Sequence, residues 1–127
     1  MTENQELTKE KMNHILLSDY AWLHEAGKDG KLSWDSSMAD LCIWVHQLFL
    51  QFAITDKHGN ARKFKSLVQE ICALTNKIAP HNPNSYINNS QKEDSAWSKT
   101  FITRYKEIFL SGEPHPIRHF LSRKKDG

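Results

Sequence analysis

Seventeen residues near the middle of the chain, Met38 to Ile54 (MADLCIWVHQLFLQFAI), are almost unbroken apolar and aromatic side chains in an otherwise polar sequence. Wound as a helix, this run leaves one narrow polar strip, Asp40, Gln47 and Gln51, with apolar groups around most of the remaining circumference. A helix of that pattern has to be covered on several sides. It is therefore expected either as the central rod of a helical bundle or as a rod shared between two copies of the chain.

At 127 residues the chain is long enough to hide such a rod inside one domain. With 25% charged and 39% hydrophobic residues it has a globular composition, which sets aside a disordered chain. The polar, acidic start MTENQELTKEK does not read as a secretory signal. The central run is short for a bilayer span and contains Asp40 and His46, so no membrane partner is expected. The chain reads as soluble and cytoplasmic. The sequon Asn88-Asn89-Ser90 is then chemically idle. Cys42 and Cys72 each sit inside an apolar periodic segment, as small buried hydrophobes of a reducing compartment rather than as a disulfide.

Four main helices can be placed. The first spans about Glu6 to Ala26, with Thr2 or Thr8 as N-cap, Gly27 as stop, and a stripe of Met12, Leu16, Tyr20 and Leu23 widened by Ile15 and Trp22. The second is the central rod, capped by Ser33 or Asp35 and running to about Thr55. After the turn Asp56 to Asn60, with Asn60 as cap, the third carries Phe64, Leu67, Val68, Ile71, Leu74 and Ile78 and ends at or before Pro80. Residues 80–89 are rich in turn formers. Ser90 and Glu93 form a capping box that opens the fourth helix, whose face is Trp97, Phe101, Tyr105, Ile108 and Phe109 and which Gly112 closes. Pro116 then starts a short helix with Ile117, Phe120 and Leu121. No stretch alternates like a half-buried strand. The expected class is all-α: a compact bundle of four main helices with a short C-terminal helix, residues 1–122 forming one domain and 123–127 a basic, unstructured tail.

Charge is distributed unevenly. Residues 1–56 hold four basic and nine acidic side chains, and residues 57–127 hold thirteen and six, so a net of +2 hides halves of −5 and +7. The third helix starts with Arg62, Lys63 and Lys65, where the helix dipole is already positive, which favours an anion there. With Arg104 and Lys106 on the fourth helix and Arg123, Lys124 and Lys125 in the tail, these residues make a candidate track for nucleic-acid phosphates. The plainer reading is that they are solvated helix faces. Nothing suggests base reading, since no helix-turn-helix spacing, zinc-finger pattern or RNA-binding aromatic signature is present.

Of the aromatic residues, Trp44, Trp97, Phe101 and Tyr105 stand at helical spacing among Leu and Ile, the pattern of a core. Trp34 follows a polar loop, and reads either as a contact residue or as a hydrophobic staple on the helix start. If the bundle leaves the central rod partly open, the candidate protein-interface residues are Trp34, Trp44, Phe49 and Phe52.

Catalytic and metal constellations are weak. Cys42 and His46, and His115 and His119, are each four residues apart, but the first pair lies in the apolar run and Pro116 spoils the helical spacing of the second. The Asp56 to Asn60 turn does not match a calcium loop, and there is no phosphate loop, dinucleotide fingerprint or nucleophile elbow. The expectation is therefore a non-enzymatic helical interaction module, an adaptor, inhibitor or accessory subunit, with no cofactor and no metal. Its expected partner is another protein or a second copy of itself, and nucleic acid is the alternative.

Overall fold

The computed structural model describes residues 8–87 and 96–123. The chain is mostly helical, with one small two-stranded sheet, so the all-α expectation holds only in its coarse form. Helix α1 (Lys9–Ala26) opens on Thr8, whose hydroxyl accepts the Lys11 N–H at 3.1 Å, and stops at Gly27. Strand β1 (Leu32–Trp34) leads into α2 (Met38–Phe49). Helix α3 (Phe64–Leu74), helix α4 (Ala96–Leu110), a 3-10 helix (Pro116–Phe120) and strand β2 (Leu121–Arg123) follow.

The enclosed rod is where the sequence puts it. Leu41, Cys42, Ile43, Trp44 and Val45, five consecutive residues of α2, are all buried, which requires cover around the whole helix. That cover comes from α1, α3 and α4, each packed on α2. At the far end of α1 the backbone packs closely. A Cβ on Gly27 would stand 3.0 Å from the Leu23 carbonyl oxygen and 3.1 Å from that of Leu74, so the bare α-carbon is what lets α1 and α3 meet there.

Four boundaries differ from the sequence expectation. The cap of α2 is Ser37, which accepts the Asp40 N–H at 3.0 Å, rather than Ser33 or Asp35, because residues 32–34 are committed to a strand. Helix α2 ends at Phe49 instead of near Thr55. Beyond it Phe52 turns left-handed, and Ile54 to Arg62 form a small hairpin whose turn is held by the Asp56 carboxylate accepting from the N–H groups of His58 and Asn60. Asn60 thus closes the turn, and α3 begins later, at Phe64. Finally, α3 stops at Leu74, Asn76 adopts φ 57°, and Ile78, expected on the buried stripe, is 92% exposed.

The sheet was not foreseen. It is antiparallel, with Leu32 opposite Arg123, Ser33 opposite Ser122 and Trp34 opposite Leu121. Asn76 donates its side-chain N–H to the carbonyls of Gly30 and Leu32, both at 2.8 Å, and ties the sheet to the end of α3. Three-residue strands are too short to display alternation, so the sequence carried no usable sign of them. Arg123 belongs to β2 rather than to a tail, and Lys124 and Lys125 lie outside the described residues, as does the Ser90/Glu93 capping box. Among the described residues no helix is long and apolar enough to cross a membrane.

Candidate functional site

Of the three polar-strip residues, Gln47 in the last turn of α2 and Gln51 just beyond it form, with Leu50, one wall of a cleft of about 400 Å³. The other walls are Lys9, Met12 and Asn13 at the start of α1 and Lys106 on α4. The third strip residue, Asp40, is used at the opposite end of the helix, where its carboxylate accepts from Ser36 Oγ at 2.6 Å. Among the described residues, Lys9 and Lys106 are the charged groups of the cleft lining. The Nε2 of Gln51 is buried and has no hydrogen-bond partner among the described residues.

Beside the cleft the chain turns sharply out of α2. Gln51 donates to the Leu48 carbonyl and Phe52 to that of Phe49, and Phe52 takes φ 54°, a backbone region that bulky side chains rarely adopt. The result is two large apolar groups in water, Leu50 at 50% and Phe52 at 61% exposure. Phe49 is half-buried behind them, its ring 5.4 Å from Phe52 and 5.9 Å from Phe64. His46 sits edge-on to Phe64 at 5.4 Å, and burial pulls its pKa down, so the ring is neutral at neutral pH.

The remaining candidate contact residues lie elsewhere. Trp34 is 1% and Trp44 0% exposed, so both belong to the core rather than to a surface. Trp34 is covered because β1 pairs with β2: the indole stacks on Phe120 at 6.2 Å, donates its N–H to the Ser37 carbonyl at 2.8 Å, and staples the start of α2.

Among the described residues, the basic side chains are not drawn into one track. Arg62 donates to Glu70 at 2.9 Å and to Ser66 Oγ at 2.7 Å. The Arg104 guanidinium lies 5.0 Å over the Phe120 ring. Lys106, two residues and about 200° further round α4, faces the cleft instead. Arg123 pairs with Asp29 and donates to the Ala26 carbonyl. Lys63 and Lys65 stay exposed at the start of α3, where Lys63 makes no capping bond. No family model, curated protein or solved structure matches the chain.

Two polar centres escaped the sequence reading. Glu70 accepts from the Tyr20 hydroxyl at 2.9 Å and from Arg62, and pairs with His24, which knots α1 to α3. Asp19 is wholly buried and accepts from Tyr105 Oη at 2.6 Å and from the Ile117 N–H at 3.1 Å, with His115 Nδ1 at 2.8 Å. Burial pushes the Asp19 carboxyl up, against the hydrogen bonds of Tyr105, His115 and Ile117 and the His115 charge, which pull it down. Trp22 stacks on the His115 ring at 5.6 Å. The sign was present: Asp19 stands four residues from Ile15, three from Leu16 and four from Leu23, a charge on the apolar stripe of α1.

These centres are built to hold the fold. The Cys42 thiol is pushed up to about 12 by burial and that of Cys72 is also raised, so neither supplies a thiolate near neutral pH. Among the described residues no three His, Cys, Asp or Glu side chains converge on a possible metal position.

Proposed function

We propose that this chain is a small helical bundle acting as a non-enzymatic protein-interaction module, docking a partner protein through the apolar step at the end of α2. The observation that carries the reading is Phe52, held outward at 61% exposure by a left-handed backbone next to the half-exposed Leu50. Both features are unfavourable in the isolated chain. A left-handed bulky residue is strained by about 1–2 kcal/mol, and a sequence without a use for that step could place Gly or Asn there at the loss of little more than the Phe49 ring contact. Strain combined with an exposed aromatic is the pattern of a contact point rather than of a core.

The alternative, a nucleic-acid phosphate track, has less support. Arg62, Arg104 and Arg123 each already have a partner within the chain, and an arginine so engaged would have to give up that contact to reach phosphate.

The test compares wild type with a Leu50→Ser/Phe52→Ser variant as tagged bait in the native source, each with and without nuclease, alongside sedimentation equilibrium of both proteins. A protein retained by wild type, lost by the variant and indifferent to nuclease supports docking, and so does dimerisation that the variant abolishes. Identical retention by both baits, with a concentration-independent monomer, overturns it. Capture that vanishes with nuclease also overturns it, in favour of the phosphate track.

A further inference from the structure

The geometry points to His115 as a phosphoryl acceptor, a side chain whose Nε2 takes a phosphoryl group from a donor of the phosphoramidate or acyl phosphate class. This goes beyond protein docking and does not depend on it, because docking stands on Phe52 whereas the acceptor stands on a ring fixed between α1 and the 3-10 helix.

The bonds that hold the fold at Asp19 also fix this ring. His115 Nδ1 lies 2.8 Å from Oδ1 of the wholly buried Asp19, and Trp22 stacks on the ring at 5.6 Å. The other carboxylate oxygen, Oδ2, accepts from the Tyr105 hydroxyl at 2.6 Å and the Ile117 N–H at 3.1 Å, so the carboxylate is itself locked as an acceptor. An acceptor facing Nδ1 keeps the proton on that nitrogen and leaves the lone pair on Nε2. A carboxylate behind an imidazole also raises the basicity of its far nitrogen, as it does in metal-binding histidines. A nucleophilic nitrogen oriented by a third group is the arrangement of activated side chains.

The lone pair is within reach of solvent. The imidazole is 26% exposed, and Nε2 is not among the enclosed polar atoms that lack a partner. Of the seven histidines, no other has this arrangement among the described residues. His24 meets through Nε2 a carboxylate, Glu70, that also accepts from Arg62 and Tyr20, and His119 Nε2 lies 3.7 Å from Glu113. His46 is packed on Phe49 and Phe64, and His14, His58 and His81 are exposed rings with no such carboxylate behind them.

Arg118 favours a phosphoryl over an acyl group. It stands one 3-10 turn on, its N–H donating to the His115 carbonyl at 3.0 Å, and its guanidinium is more than half exposed and meets Glu113 only at 3.5 Å. A guanidinium so loosely paired can turn to a phosphoryl dianion and hold it by charge-assisted hydrogen bonds. In transfer from phosphoramidate, the Nε2 lone pair forms the new N–P bond as the donor's own P–N bond breaks and ammonia leaves. The proton on Nδ1 stays where it is, and the positive charge left on the ring faces the Asp19 carboxylate. An acyl phosphate reacts in the same way and releases its carboxylate.

The experiment incubates the full chain with phosphoramidate or with acetyl phosphate, follows phosphorus NMR and intact mass, and locates the modified residue by fragmentation. One phosphoryl group is expected on His115, added at least about tenfold faster than to any other histidine, and the faster donor identifies the donor class. Long-range nitrogen–proton NMR of the unmodified chain is expected to show the His115 proton on Nδ1 and the lone pair on Nε2. Asp19→Asn should slow the modification by about tenfold or more. Tyr105→Phe loosens the same core but keeps Asp19 behind the ring, so it should react like wild type, which separates orientation of the ring from support of the fold. Should Asp19→Asn not fold, the tautomer and the selectivity of the wild type decide. Leu50→Ser/Phe52→Ser leaves both readouts unaltered, so failure of docking is separable from failure of the acceptor. A proton on Nε2, modification spread evenly over the exposed histidines, a folded Asp19→Asn that reacts as fast as wild type, or no modification by either donor overturns the proposal.

Discussion

Asp19 and Tyr105 stand 86 residues apart in sequence and are joined by a 2.6 Å hydrogen bond inside the core, where both side chains are inaccessible to water. This contact links α1 to α4, and because Asp19 also accepts from the Ile117 N–H and lies against His115, the same carboxylate anchors the C-terminal segment. A hydrogen bond to a charged buried group contributes about 1.5–3 kcal/mol, and stranding several donors at once costs more than any single bond. Tyr105→Phe is therefore expected to destabilise by about 2 kcal/mol. Asp19→Ala, which strands the Tyr105 hydroxyl and the Ile117 N–H together, should exceed about 3 kcal/mol. Urea unfolding of both variants and of the double variant measures the coupling, and additive effects would show that the contact does not hold the fold.

The same carboxylate predicts a pH dependence. Burial raises the Asp19 pKa above its unfolded value of 3.8, so the folded chain binds this proton more tightly than the unfolded chain does. The stability contributed by that preference is fully present below 3.8 and is lost as pH rises through the folded pKa. Asp29 and Glu113 carry lowered values, from hydrogen bonds that Lys31 and His115 donate through their backbone N–H, and their contributions run the other way, being lost as pH falls. Comparing wild type with Asp19→Asn across an acid pH series isolates the first effect. The difference between the two curves should grow in favour of wild type toward acid, and a difference that is flat with pH would contradict the assignment.

Tyr20 offers a second titration, at alkaline pH. Burial and the neighbouring Glu70 carboxylate push its phenol up to about 12. The proton is again held more tightly in the folded state, so this stability is complete below 10 and is lost as pH rises through about 12. Ultraviolet titration should show one late tyrosine in addition to the buried Tyr105, and Glu70→Gln should bring the Tyr20 step down while lowering stability by about 1–3 kcal/mol through loss of the Arg62 pair. An unchanged tyrosine titration in that variant would exclude Glu70 as a cause.

Gly27 marks a close approach of two helices. A methyl group there meets backbone oxygens of Leu23 and Leu74 that have no rotamer with which to move away. Gly27→Ala should destabilise by about 1–3 kcal/mol, even though alanine is ordinarily the better residue near a helix end. A melting temperature equal to or above that of wild type would show that the ends of α1 and α3 separate freely.

How much of this was legible in the sequence depends on the range of the interaction concerned. The enclosed rod was readable because five adjacent apolar side chains at 41–45 admit no exposed face, whatever the neighbours are. Thr8 and Gly27 were readable because capping is local chemistry. The early end of α2 was not. Phe49, Leu50 and Phe52 continue the apolar pattern, and nothing in their identity announces a left-handed turn that glycine or asparagine would normally mark. Between a contact residue and a staple the sequence could not choose for Trp34, because its cover, Phe120 and Leu121, arrives from the other end of the chain through a sheet of three-residue strands. The cleft was foreshadowed only by the polar strip on α2, since Lys9 and Lys106 reach it through tertiary packing.

Phe52 is where stability and contact should trade against each other. Its left-handed backbone is strained by about 1–2 kcal/mol for a bulky side chain and by much less for Asn or Gly. The side chain it would give up is mostly in water, with only the Phe49 ring 5.4 Å away to lose. Phe52→Asn is therefore expected to raise the stability of the free chain by about 0.5–1 kcal/mol while it weakens retention of a docked partner. Phe49→Ala, by contrast, opens a hollow against Phe64 and His46 and should lower stability by about 2–4 kcal/mol. Denaturant midpoints of the two variants, read beside their partner retention, separate a residue kept for contact from one kept for packing. If Phe52→Asn is less stable than wild type, the ring is a structural plug and the contact surface must be sought elsewhere on the molecule.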